Sequence, residues 1–218
     1  MGIVRIYLIS LLCAVLTVSL VYLFTTVDFI INSKSVNPAR NVLRETVVKL
    51  IAVNSVNNQK IKNSWDYKKI IELENFLRYG NEKYGIPELV ALSFINHESS
   101  MYVYAKGINR DKNTGFIKSV DFGLSQINGG NISRSDIDNI YSIKTNLKYF
   151  YSLYGKCVKQ YGLFTERSIV CYNYPKLAKI GSYKKVKSYP YTIYILNSYF
   201  KVKKIYSLVL DGIIKNKY

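Results

Sequence analysis

The stretch Ile95–Met101, Ile-Asn-His-Glu-Ser-Ser-Met, sets a glutamate at the end of an apolar run. Glu98 follows Ala91 by seven residues, Phe94 by four and Ile95 by three, offsets that share one face of a helix. Three and four residues to either side stand Phe94, Ile95, Met101 and Tyr102, so no local lysine or arginine offsets its charge. Desolvation on such a face penalises the carboxylate and raises its pKa above the ordinary value of roughly 4.3. A carboxylic acid that stays protonated near neutral pH is what general acid catalysis needs. The plainer alternative is a helix end at which Glu98 points to solvent or meets a distant lysine. His97, the sole histidine, reads as a surface or supporting residue.

Other reactive side chains are few. Cys157 and Cys171 lie outside the apolar N-terminal stretch that holds Cys13. Without a CxxC or a Cys/His cluster they do not suggest a zinc site. A disulfide in an oxidising compartment is open to them, and so are two free thiols. Asp111-Lys112-Asn113-Thr114-Gly115 has the look of a calcium loop. It lacks glycine at the sixth position and has Phe122 where a bidentate glutamate belongs, so no metal or cofactor is expected.

The elements that must position Glu98 read as helices. Val42, Leu43, Val47, Leu50 and Ile51 recur at helical spacing within residues 40–53. Asn54–Asn63 reads as a linker. Ser64 is an N-cap for a helix marked by Ile70, Ile71, Phe76 and Leu77, which Gly85 ends. Pro87 then opens the helix that carries Glu98 to Ser99 or Ser100. Residues 105–131, rich in Gly, Asn, Asp and Lys, read as a long loop with a short ordered core. Helices follow over Asp138–Tyr154, Thr165–Tyr172 and Tyr191–Val209. Strand alternation is scarce, and the fold class is mainly α.

Four short motifs recur in a meaningful order. Ile86-Pro87-Glu88-Leu89-Val90 followed by His97-Glu98-Ser99-Ser100-Met101 resembles the first motif of lysozyme-like lytic transglycosylases. Asp121-Phe122-Gly123-Leu124-Ser125-Gln126-Ile127-Asn128 is similar to their Gly-Leu-x-Gln-Ile-Asn motif. Cys171-Tyr172-Asn173 resembles their Ala-Tyr-Asn motif, and Tyr191 with Ile195 their final element. The resemblance covers about residues 68–205 and is closest to transglycosylases that accompany secretion and conjugation machines. Two departures stand out: Cys171 replaces the usual alanine, and Tyr174-Pro175 replaces the small residues that commonly follow the asparagine.

The resemblance implies a lysozyme-like domain of the goose-lysozyme and transglycosylase type. It implies cleavage of the MurNAc–GlcNAc β-1,4 bond of peptidoglycan, leaving 1,6-anhydro-MurNAc ends. Glu98 would serve as acid and then as base, and Ser99 would orient it. Gln126 and Asn173 would face the sugar groove, and Tyr191 would hold the catalytic carboxyl. Such a reaction needs one carboxylic acid, whereas a hydrolytic glycosidase needs two. Asp121 is close enough to the second motif to act as that second carboxylate in a lysozyme. Its plainer role is to accept backbone hydrogen bonds in the turn before Gly123.

Residues Ile6–Val27 carry no charge, long enough for a membrane span. The alternative is a cleaved signal peptide, which would have a shorter apolar region and a small-residue cleavage site that the stretch around Thr25 does not offer. The expected organisation is an anchor over 1–31, a juxtamembrane helix and linker over 32–63, and a catalytic domain over 64–218. Arg5 and the amino terminus favour a cytoplasmic N-terminal end, with the C-terminal part outside; Lys34, Arg40 and Arg44 on the far side argue the opposite, but only Lys34 lies close to the span. The net charge of +17 demands an anionic partner or surface. Glycan strands of peptidoglycan, the membrane and a cell-envelope complex are the expected partners. A membrane-tethered basic binding protein is the competing class, with Lys184, Lys185, Lys187, Lys201, Lys203 and Lys204 as phosphate contacts. No nucleic-acid motif accompanies them, so nucleic acid is not expected.

Overall fold

The computed structural model describes residues 38–215, with side chains over residues 41–213. The apolar stretch Ile6–Val27 lies outside the described residues. Among those described, no helix is long and apolar enough to cross a membrane. The chain divides into two units, Met1–Asn41 and Val42–Tyr218. Of the first, the described part is the opening turn of a helix.

The second unit is mainly α. Helix α1 (Pro38–Ser55) turns Val42, Leu43, Val47, Leu50 and Ile51 into the core, as their helical spacing requires. The compact unit is therefore wider than the span 64–218 read from the sequence, because this apolar stripe is buried with it. Nor is Asn54–Asn63 only a linker: α2 (Gln59–Asn63) forms there, and Ile61 is buried. Ser64 closes α2, its N–H reaching Lys60 O and Ile61 O. Asp66 takes the capping role, accepting from Lys69 N at 2.8 Å at the start of α3 (Tyr67–Tyr84). Gly85 ends α3 in the left-handed conformation, φ 64°. Glu74, a buried carboxylate of α3, is compensated by Arg44 Nε at 2.8 Å and Arg78 Nη2 at 3.3 Å, which joins α1 to α3.

Helix α4 (Glu88–Ser99) is buried almost all round, from Val90 through Asn96. A helix apolar on every side belongs at the centre. The stretch expected as a loop forms an antiparallel sheet, β1 (Lys106–Arg110), β2 (Ile117–Phe122) and β3 (Ile127–Asn128), in the order β1-β2-β3. The helix expected over Asp138–Tyr154 is displaced: Ser142 caps α5 (Ile143–Tyr161), and residues 137–139 form a 3-10 turn. Then come α6 (Glu166–Asn173), α7 (Pro175–Ile180), α8 (Tyr183–Lys187) and the 26-residue α9 (Pro190–Lys215). Pro175 stops α6 at Asn173 and starts α7 in the first-turn position proline tolerates. Phe94 of α4 lies against Phe150 and Tyr154 of α5 and Tyr172 of α6, with ring centroids 4.6–5.4 Å apart.

Candidate active site

Two helices hold Glu98 in place. Asn96 Nδ2 donates to Ser198 Oγ at 2.8 Å, and Ser198 Oγ donates to Ser93 O at 2.8 Å, so α4 is pinned to α9 by buried polar bonds. Asn54 of α1 donates to Asn96 Oδ1 at 2.8 Å and extends the tie to a third helix. From the second residue of α9, the Tyr191 hydroxyl donates a hydrogen bond to Glu98 Oε1.

Burial raises the pKa of Glu98 to about 7; the Tyr191 donor opposes the rise, and the Asp121 charge adds to it. Glu98 thus holds its proton well above the ordinary carboxylate range. Its half-buried side chain opens to a cleft of about 360 Å³. Burial also lifts the Tyr191 and Tyr172 hydroxyls well above the usual tyrosine value, with the Glu98 charge adding to both. They stay neutral donors at any pH where Glu98 titrates.

Asn146 of α5 positions the floor of the cleft. Its Nδ2 donates to Phe122 O at 2.9 Å and Ile140 O at 3.2 Å, and its Oδ1 accepts from Ser125 N at 2.8 Å. One side chain thus satisfies three backbone groups around the Gly-Leu-Ser-Gln segment. Gly123 is required there for two reasons. Its φ is +73°, and a Cβ would stand 2.4 Å from Asn146 Nδ2. The resulting turn brings Gln126, at φ 47°, to the cleft with its Nε2 on Gly123 O at 2.9 Å. The Tyr172 hydroxyl donates to Ser125 O at 2.8 Å and closes the floor from α6.

The cleft brings together Glu98, Asp121, Gln126, Asn128, Tyr172 and Asn173. Of the residues expected at the site, Gln126 and Asn173 line it beside Glu98, and Tyr191 stands behind Glu98. Asn173 Oδ1 accepts from the Tyr189 hydroxyl at 3.1 Å, leaving its amide nitrogen for a ligand. Ser99 is not among them. Its hydroxyl donates back to Ile95 O at 3.0 Å, the usual bond of a buried serine one turn down a helix, and makes none to Glu98.

Asp121 lies on β2 rather than in a turn. Its two oxygens accept from side-chain amides, Asn109 Nδ2 at 2.7 Å and Asn128 Nδ2 at 2.8 Å, and not from backbone N–H groups. Sequence reasoning missed Asn109 and Lys118, which line the cleft, and Asn146, which holds its floor; the β2–β3 register that opposes Asp121 to Asn128 is invisible without the sheet. His97 is half-buried, stacked on Tyr194 with centroids 5.6 Å apart and edge-on to Tyr191, and burial lowers its pKa.

Cys157 of α5 and Cys171 of α6 form a disulfide with Cα atoms 5.7 Å apart, which settles between the two states the sequence left open. Cys171 immediately precedes Tyr172 and Asn173, so the bond ties down the cleft wall. Among the described residues no three His, Cys, Asp or Glu side chains converge as a metal-ligand set. No protein-family model, curated protein or solved structure matches this chain.

Proposed function

We propose that the chain is a peptidoglycan lytic transglycosylase with a lysozyme-like catalytic domain. The observation that carries this reading is Glu98, a carboxylic acid whose pKa burial raises to about 7, at the head of a polar cleft. The four-motif resemblance supplies the substrate class. Protonated Glu98 gives its proton to the glycosidic oxygen as the bond to MurNAc C1 breaks. The resulting carboxylate takes the proton of the MurNAc 6-hydroxyl while O6 closes on C1, so Glu98 is regenerated and no water is consumed. The Tyr191 donor steadies the carboxylate between the two steps. Gln126, Asn128 and Asn173 offer amide donors and acceptors to sugar hydroxyl and N-acetyl groups. Glu98→Gln, tested on purified peptidoglycan, is expected to abolish release of soluble fragments with the fold intact. Near-wild-type turnover by the folded variant overturns the proposal.

One observation favours a second reading. Asp121 lines the same cleft and its charge acts on Glu98, so a hydrolytic lysozyme with Asp121 directing water is the competing mechanism. Both oxygens of Asp121 are already engaged by amides, which favours a substrate-binding or supporting role.

The disulfide supports placing the catalytic part outside the cytoplasm, where such bonds persist. In this proposal Ile6–Val27 anchors it to the membrane, and a cell-envelope complex recruits it. The positive charge serves anionic wall polymers and headgroups rather than nucleic acid. Protease added to spheroplasts digests the C-terminal part if this orientation holds; protection contradicts it.

A further inference from the structure

The turn that leaves α4 is held in an uncommon backbone conformation. Ser100 and Met101, the second and third residues after Glu98, both have positive φ, 51° and 68°, and neither is glycine. Consecutive left-handed residues with a Cβ are strained, and they persist only where neighbouring contacts over-determine them. Tyr102 N–H to Ser99 O at 2.9 Å is one such contact. Another comes from far away in the chain. Trp65, in the connection between α2 and α3, donates its indole N–H to Met101 O at 2.6 Å. Met101 is fully buried, so without Trp65 that carbonyl would lose its partner where water is excluded.

We propose that Trp65 is a positioning residue for Glu98: its N–H on Met101 O holds the Ser100–Met101 turn and thereby the end of α4 that aims the carboxyl at Tyr191. This rests on the reading of Glu98 as the acid. The groups that face Glu98 are Tyr191 from α9, Asp121 from β2 and Tyr172 from α6, with His97 adjacent on α4. Each contributes a fixed donor or charge, so a small rotation of the α4 terminus changes its balance of burial and hydrogen bonding. Trp65 does not line the cleft; it acts through the backbone of the turn. It is also the only tryptophan in the chain.

The test replaces Trp65 with 3-benzothienylalanine, which keeps the fused rings and puts sulfur in place of the N–H. Trp65→Phe serves as a second variant. The carboxyl of Glu98 is titrated by carbon NMR in full-length, glutamate-labelled protein, with Glu98→Gln identifying its signal. Turnover of peptidoglycan is read in parallel. The expected result is a drop of about one unit in the Glu98 pKa, because the burial that water entry relieves is the largest influence on it and outweighs the weakened Tyr191 bond, which acts the other way. The alkaline limb of activity moves by the same amount, and kcat falls about tenfold or more with KM nearly unchanged. A benzothienyl variant whose Glu98 titrates as in the wild type, with unchanged kcat, overturns the assignment. Failure of the underlying acid–base reading looks different: Glu98 of the wild-type protein itself then titrates as an ordinary carboxylate.

Discussion

Tyr191 and Glu98, 93 residues apart in the chain, meet through one hydrogen bond in which the phenol donates to the carboxylate. That bond favours the ionised acid, while burial and Asp121 favour the neutral one, and Glu98 comes to rest near neutrality. A group placed there gives and regains a proton at similar cost.

Tyr191→Phe removes the only one of these influences that lowers the pKa of Glu98. The pKa should rise, and the alkaline limb of kcat/KM should move to higher pH by about one unit. The rate at the optimum should fall by about tenfold to a hundredfold, because the carboxylate left after the first proton transfer loses its donor. A pH–rate profile of the two proteins checks both. A limb moving to lower pH contradicts the assigned role.

Glu98 also leaves a signature in stability. The folded protein holds its proton up to about pH 7, and the unfolded chain releases it near the ordinary value of 4.5. Between these values the native state binds more protons, so this group's contribution is fully present below 4.5 and is lost as pH rises through 7. Glu98→Gln lacks the ionisation. It should be more stable than the wild type above pH 7, by about 1–3 kcal/mol, with the gap closing towards pH 4.5. Urea denaturation of both proteins at pH 4.5, 6 and 8 measures it. A gap that widens at low pH contradicts the burial of Glu98.

Much of this site is legible in the sequence, and the illegible part has physical causes. Gly85, Pro87 and Pro175 act through their own backbones, so local reading finds the helix ends they set. Ala91, Phe94, Ile95 and Glu98 share a face that periodicity reveals. The sheet hides because β1 is largely exposed, β2 is at most half-buried, and neither carries apolar alternation. Ser64 and Asp66 both suit a helix start, and only geometry shows which one caps. Ser99 follows the acid in the motif, yet a buried serine on a helix has a nearer acceptor one turn back. Asn146 and Trp65 act across 21 and 36 residues, and no local pattern announces such partners.

Gly123→Ala should damage the cleft more than its size suggests. The new methyl requires a left-handed alanine and displaces Asn146 Nδ2, which frees Phe122 O and Ile140 O and loosens the Oδ1 bond from Ser125 N. A stability loss of about 2–4 kcal/mol is expected, with activity falling further than stability accounts for. Thermal melts and activity at a temperature where both proteins are folded separate the two effects. Wild-type values for both contradict the clamp.

The Cys157–Cys171 bond closes a loop with a sequence separation of 14 residues. Reducing it, or replacing both cysteines with serine, should cost about 3 kcal/mol and lower Tm by roughly 6–12 °C. Activity should fall with it, since Tyr172 and Asn173 follow Cys171 directly. Melting curves with and without dithiothreitol test this. An unchanged Tm contradicts a structural bond.

The most direct test of the central claim is the mass of the glycan ends made by the purified protein from peptidoglycan. If Glu98 works alone and the MurNAc 6-hydroxyl attacks C1, every new end is a 1,6-anhydro sugar, lighter than a reducing end by one water. That result is expected for the wild type and, at reduced yield, for Asp121→Asn. Predominantly reducing ends that disappear in Asp121→Asn contradict it and make the protein a lysozyme.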